Sequence, residues 1–111
     1  MSRMSLYAQY VKEREGASIL ERDWGFAVYI MQADHVYLQD IFVIEAERKS
    51  GKGVELMNDV AAIAREVGIA KMIGSVAPST PFADSMLKIM QGLGFKLLSA
   101  SEDMIYLIKE I

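Results

Sequence analysis

The feature that most constrains this chain is a change of period near its middle. Up to Ile44 the apolar residues fall in short runs rich in β-branched and aromatic types. From Gly53 onward, Val54, Met57, Val60, Ala61, Ala64 and Val67 recur at intervals of three and four, with Glu55, Asp59, Arg65 and Glu66 off that stripe. Such spacing gathers side chains on one helical face, and Gly68 supplies a C-terminal cap. The run Met72-Ile73-Gly74-Ser75-Val76 then has the length of a buried strand. Strand, helix and strand in succession predict a parallel crossover unit, since two parallel strands need a connection long enough to recross the sheet.

The flanks add elements to this unit. Leu6 to Glu15 mixes apolar and charged residues at helical spacing and stops at Gly16. Ala17 to Arg22 and Phe26 to Gln32 read as strands around the turn Asp23-Trp24-Gly25, and Ala33-Asp34-His35 turns into a third strand running to Ile44. Together these predict an antiparallel meander. Past the crossover, Thr80 reads as an N-cap with Pro81 at the first helical position, and Phe82, Met86, Ile89, Met90 and Leu93 as a buried stripe. Gly92 and Gly94 end that helix, and Phe95 to Ser99 and Met104 to Ile108 form two last strands around Ser101-Glu102-Asp103. Without a linker or repeat, residues 1–111 read as one α/β domain.

Composition narrows the function. The chain is 52% hydrophobic and 24% charged, which is globular rather than disordered. A net charge of -3 argues against a nucleic-acid binder that works by broad phosphate neutralisation. No apolar run approaches bilayer length and the first residues lack a secretory h-region, so no membrane role and a cytoplasmic location are expected. With no cysteine, disulfides, a thiol nucleophile and a thiolate metal site are excluded, and no metal is expected.

The chemistry is expected in Arg48-Lys49-Ser50-Gly51-Lys52-Gly53, between the third strand and the most regular helix. Glycine allows backbone conformations closed to other residues and lets an anion approach the chain. The helix start adds unpaired amides and a positive dipole end, and three cations lie nearby. Taken alone, the segment reads equally well as a polar turn. It is not a P-loop, because the Gly-Lys-Ser/Thr ending is absent.

In its setting the segment resembles the hallmark of the GCN5-related N-acetyltransferase (GNAT) superfamily, Arg/Gln-x-x-Gly-x-Gly/Ala, through Arg48, Gly51 and Gly53. Leu38 to Val43 is similar to that family's fourth strand, and Gly94-Phe95 to the pair that begins its sixth. The resemblance covers roughly residues 17 to 108. It implies a mixed, mainly antiparallel central sheet with helices on both faces, in a compact form with a reduced N-terminal region. It also implies acetyl-CoA as acyl donor, in a cleft where the strand of Ile41 to Val43 splays from that of Ile73 to Val76, its pantetheine arm pairing with the main chain of Ile41 and Val43 and its pyrophosphate on the amides of Lys49, Ser50, Gly51, Lys52, Gly53 and Val54 beside Arg48. The reaction implied is direct attack of an acceptor amine on the thioester, within a ternary complex. The alternative is a catalytically silent CoA-binding or protein-interaction module.

Departures from the family concern the reacting groups. The tyrosine often found four residues before the Gly-Phe glycine is Met90 here, and the asparagine near the start of the same helix is Ala83, with Ser79, Thr80 or Asp84 as substitutes. Asp40, the only carboxylate on the central strand, is the candidate general base, and Tyr37 a polar contact or water relay. A solvated or structural role is the more common one for both residues, and for His35, a further candidate base placed in a turn. Glu45 and Glu47 are candidates to orient Arg48. A homodimer is expected if the reduced N-terminal layer leaves one sheet face uncovered.

Overall fold

The computed structural model describes residues 5–111. Helix α1 (Leu6–Glu15) starts where the Ser5 hydroxyl accepts the Ala8 amide at 3.0 Å, and it ends at Gly16, whose φ of 65° is the left-handed conformation of a helix stop. Strands β1 (Ser18–Arg22), β2 (Gly25–Met31) and β3 (Val36–Val43) form the expected meander. A short 3-10 turn at Glu45–Glu47 leads to α2 (Lys52–Glu66), β4 (Lys71–Val76), α3 (Ala83–Gly92), β5 (Lys96–Ala100) and β6 (Ile105–Glu110). The six strands make one sheet in the order β1-β2-β3-β4-β6-β5, parallel only between β3 and β4.

Side-chain alternation along β2 divides the helices between the two faces. Ala27 joins the larger core, with Leu56, Met57 and Val60 of α2, Met72 and Val76 of β4, and Phe95 and Leu107. Val28, one residue on, packs with Val11 of α1 and with Ala17. Thus α2 and the larger core lie on one face and α1 on the other. The Arg22 guanidinium, 3.1 Å from the Asp59 carboxylate, ties β1 to α2 on the surface.

Three expectations are corrected. The second crossover helix begins at Ala83 after Phe82, with no side-chain cap; residues 78–82 form turns, and Thr80 contributes its carbonyl, accepting the Ala83 amide at 3.0 Å. The chain must first swing clear of β4, so the serine-threonine-proline run is spent in the turn rather than at the cap. The stripe of α2 is shifted: Leu56 is fully buried, whereas Val54 and Val67 are exposed. The α3 stripe is not buried. Phe82, Met86 and Ile89 are exposed and only Ala83 is buried.

A cleft at a splayed strand pair

Strands β3 and β4 pair only from Val36↔Met72 to Leu38↔Gly74, and then part. The cause lies in β3. Between Tyr29↔Leu38 and Val28↔Asp40 the register with β2 shifts, leaving Gln39 without an opposite residue. Such a bulge bends its strand, here away from β4. The gap opens into a cleft of about 560 Å³ that runs to the glycine junction, with β3 and α2 on one side and β4 and α3 on the other. Ile41, Val43, Arg48, Lys49, Gly51, Lys52, Gly53 and Val54 all line it, as does Asp40. Ser50 and Tyr37 do not.

The main chain along this wall is available in part, at the Ile41 carbonyl and the Val43 amide. The Ile44 amide donates to the Trp24 carbonyl at 2.9 Å. Antiparallel alternation then turns Phe42 toward β2 and directs the backbone groups of Ile41 and Val43 into the gap. At the junction, Gly51 is the N-cap of α2, with a φ of 84°, and Lys49 also has positive φ, 65°. Among the described residues, the first amide past Arg48 to find a protein acceptor is that of Glu55, on the Gly51 carbonyl at 3.0 Å. The amides from Lys49 to Val54 therefore remain a cluster of donors at the positive end of a 15-residue helix.

The cations are less free than their spacing suggests. Arg48 Nε donates to the Val43 carbonyl at 2.9 Å and its guanidinium lies over the Phe42 ring. That carbonyl, rather than Glu45 or Glu47, orients the side chain. Lys52 Nζ lies 4.9 Å from the centre of the Trp24 ring and 4.0 Å from Glu55. Ser50 directs its hydroxyl to the Glu47 carbonyl at 2.5 Å. Backbone amides and the helix dipole are thus the groups left most open to an anion, whereas Arg48 and Lys52 already have partners within the protein.

At the other end, Asp40 shares a sheet face with its partner Val28, the side that carries α1. Its carboxyl is held above the usual aspartate range, first by desolvation and then by the Glu15 carboxylate at the end of α1, against an Ile41 backbone hydrogen bond that lowers it. Tyr37 reaches Ser75 instead of the cleft, hydroxyl to hydroxyl at 2.5 Å. Met90 closes the opposite wall over Gly74, where an added Cβ would lie 2.5 Å from its methyl carbon. His35 pairs with Asp34 at 2.6 Å in the β2–β3 turn and does not reach the cleft; Ser79, Thr80 and Asp84 do not line it either.

Several lining residues were not named as such from the sequence: Leu38, Gln39, Met86 and Ile89, and, on the strand expected to border the cleft, Gly74 and Ser75 individually. One signal was present. A glycine inside a predicted strand marks close approach of another group, and Gly74 is that glycine. Among the described residues no helix is long and apolar enough to cross a membrane, and no group of three or more His, Cys, Asp or Glu could hold a metal ion.

The fold has solved counterparts. A GNAT family acetyltransferase from Elizabethkingia anophelis with acetyl-CoA bound is similar at a TM-score of 0.71 and 19% identity, covering 96% of this chain and 82% of the other. PaiA N-acetyltransferase from Thermoplasma acidophilum in complex with coenzyme A has a TM-score of 0.72 and 17% identity, over 91% of this chain and 66% of the other. An acetyltransferase from Bacillus subtilis in complex with CoA has a TM-score of 0.70 and 19% identity, over 93% and 83%. No curated protein matches the sequence at a significant level. The family model described as acetyltransferase (GNAT) family matches residues 4–95. The bulged third strand, the parallel crossover, the glycine junction and that match lead to one assignment: the chain belongs to the GNAT acetyltransferase family.

Proposed function

We propose that the protein transfers an acetyl group from acetyl-CoA to a primary amine, by direct attack of the amine on the thioester in a ternary complex. The observation that carries this reading is the continuity of the cleft, which joins unpaired amides at the start of α2 to the gap between β3 and β4. A diphosphate fits the first feature and an extended amide-bearing arm the second. In this reading the pyrophosphate lies on the amides of residues 49–54, and the pantetheine arm pairs with the main chain of Ile41 and Val43 as an added β-partner. The exposed apolar side chains of Met86 and Ile89 then cover the cofactor.

The thioester would reach the bulge, where Asp40 faces the α1 side and serves, directly or through water, as base for the amine. Its raised pKa suits that role, because a base acts best when its pKa approaches the working pH. Holding amine and thioester together supplies much of the acceleration, since orientation alone can lower a barrier by about 7–11 kcal/mol. The expected cytoplasmic location and homodimer belong to the same proposal.

Titration calorimetry with acetyl-CoA, followed by a thiol-release assay over a panel of amines, tests it. Binding with turnover is expected. Binding without turnover on any amine would favour a silent CoA-binding module, a reading encouraged by Met90 at the wall of the cleft. Absence of binding would remove both.

A further inference from the structure

When a thioester is aminolysed, the C–S electron pair leaves on sulfur, and the thiolate needs a proton or a hydrogen-bond donor. The α3 wall of the cleft offers only apolar side chains and the thioethers of Met86 and Met90, which donate nothing. Across from Asp40, however, Ser75 lines the cleft as the first residue of β4 beyond the last β3–β4 pair, Leu38↔Gly74. Its half-buried hydroxyl is held at 2.5 Å by the Tyr37 hydroxyl, from the paired end of β3.

We propose, resting on the acyl-transfer reading above, that Ser75 is the catalytic residue that donates to the departing CoA sulfur, with Tyr37 the positioning residue that supplies its proton. The amine nitrogen bonds to the thioester carbon, and the C–S bond breaks with its electron pair on sulfur. Sulfur takes the Ser75 proton while the Ser75 oxygen takes the phenolic proton of Tyr37. The phenolate is restored, through solvent, by the proton that the new amide nitrogen releases. An alcohol alone is a poor acid for a thiolate. A phenol is a far stronger acid than an aliphatic alcohol, so the relay brings a better proton source to the sulfur than Ser75 alone would. Asp40 and the Ser75–Tyr37 pair would then flank the reaction from the two splayed strands, one taking a proton and the other giving it.

The test uses the full-length protein with Ser75→Ala, Ser75→Thr, Tyr37→Phe and the Ser75→Ala/Tyr37→Phe double variant. Its first readout is the ultraviolet thiolate absorbance of bound CoA as a function of pH, which needs no acceptor. Ser75→Ala is expected to raise the apparent pKa of the bound thiol by about one unit, the effect of removing a hydrogen bond to a charged atom. Turnover at saturating acetyl-CoA should fall about tenfold without a change in its affinity, which is modest for loss of a general acid because thiolate is a fair leaving group. Tyr37→Phe should move both quantities less, Ser75→Thr should restore them, and the double variant should be no worse than Ser75→Ala. A bound thiol that titrates identically in wild type and Ser75→Ala overturns this inference and leaves acyl transfer standing. Failure of the wild type to bind CoA overturns both.

Discussion

The two crossover helices, α2 and α3, have the same apolar periodicity and opposite fates. α2 buries Leu56, Met57, Val60, Ala61 and Ala64 against the sheet. α3 buries Ala83 alone and leaves Met86 and Ile89 45% and 59% exposed on the wall of the cleft. An amphipathic stripe reports that a face avoids water, not what covers it. In α2 the cover is the rest of the chain. In α3 the proposed function assigns part of it to acetyl-CoA, so that on this reading one helix builds stability and the other affinity.

The largest test of that contrast is truncation. Leu56→Ala should cost about 2–5 kcal/mol of folding stability in denaturant titrations, the usual range for a fully buried leucine. Ile89→Ala should cost under about 1 kcal/mol, as exposed positions do, and weaken acetyl-CoA binding several-fold instead. Equal destabilisation by the two would erase the distinction. Next in size, acetyl-CoA at a hundredfold excess over its Kd should add about 2.7 kcal/mol to the unfolding free energy. Hydrogen exchange in the complex should slow more in α3 than in α2; the reverse order would place the ligand elsewhere.

The two junction glycines sharpen the same separation. An added Cβ at Gly53 meets nothing within 4 Å, and its φ is unstrained. Gly53→Leu should therefore fold normally and bind acetyl-CoA about tenfold or more weakly, by blocking close approach to the amides. Gly51 has open space but positive φ, so Gly51→Ala should also lower folding stability by about 1 kcal/mol. Calorimetry and thermal unfolding on both variants distinguish these outcomes.

The smallest effect concerns Asp40. Its native pKa is raised, so the folded state favours the protonated form, and that contribution to stability is full below the unfolded value near 3.9 and lost as pH rises through the native value. Asp40→Asn should remove that slope and leave the neutral-pH protein equally or slightly more stable. It should slow turnover without changing acetyl-CoA affinity, and abolish a rate limb that rises with pH above the ordinary aspartate range. Superimposable pH profiles for the two proteins would take Asp40 out of the mechanism.

Much of the fold was legible because its local signals agree. Gly16 stops α1 where expected, the meander closes on its predicted turns, and the period change at the junction locates the crossover within one residue of the observed helix start. The site was legible in part. The glycine segment follows from a strand-to-helix junction, whereas Ile41 and Val43 were implied by the resemblance to the GNAT family. Ser75 did not, because its proximity to Tyr37 is a contact between residues 38 apart, created only once β3 and β4 pair in parallel. Arg48 shows the converse: its charge was counted toward a ligand, but the Val43 carbonyl holds its side chain.

The sequence by itself determined the elements, the crossover and the place where an anion can meet a helix start, since each depends on neighbours within a few residues. Only the tertiary structure decided which hydroxyls meet where β3 leaves β4, and that the apolar face of α3 borders open space. Those depend on a bulge acting on strand register, and register is set by pairing between distant segments.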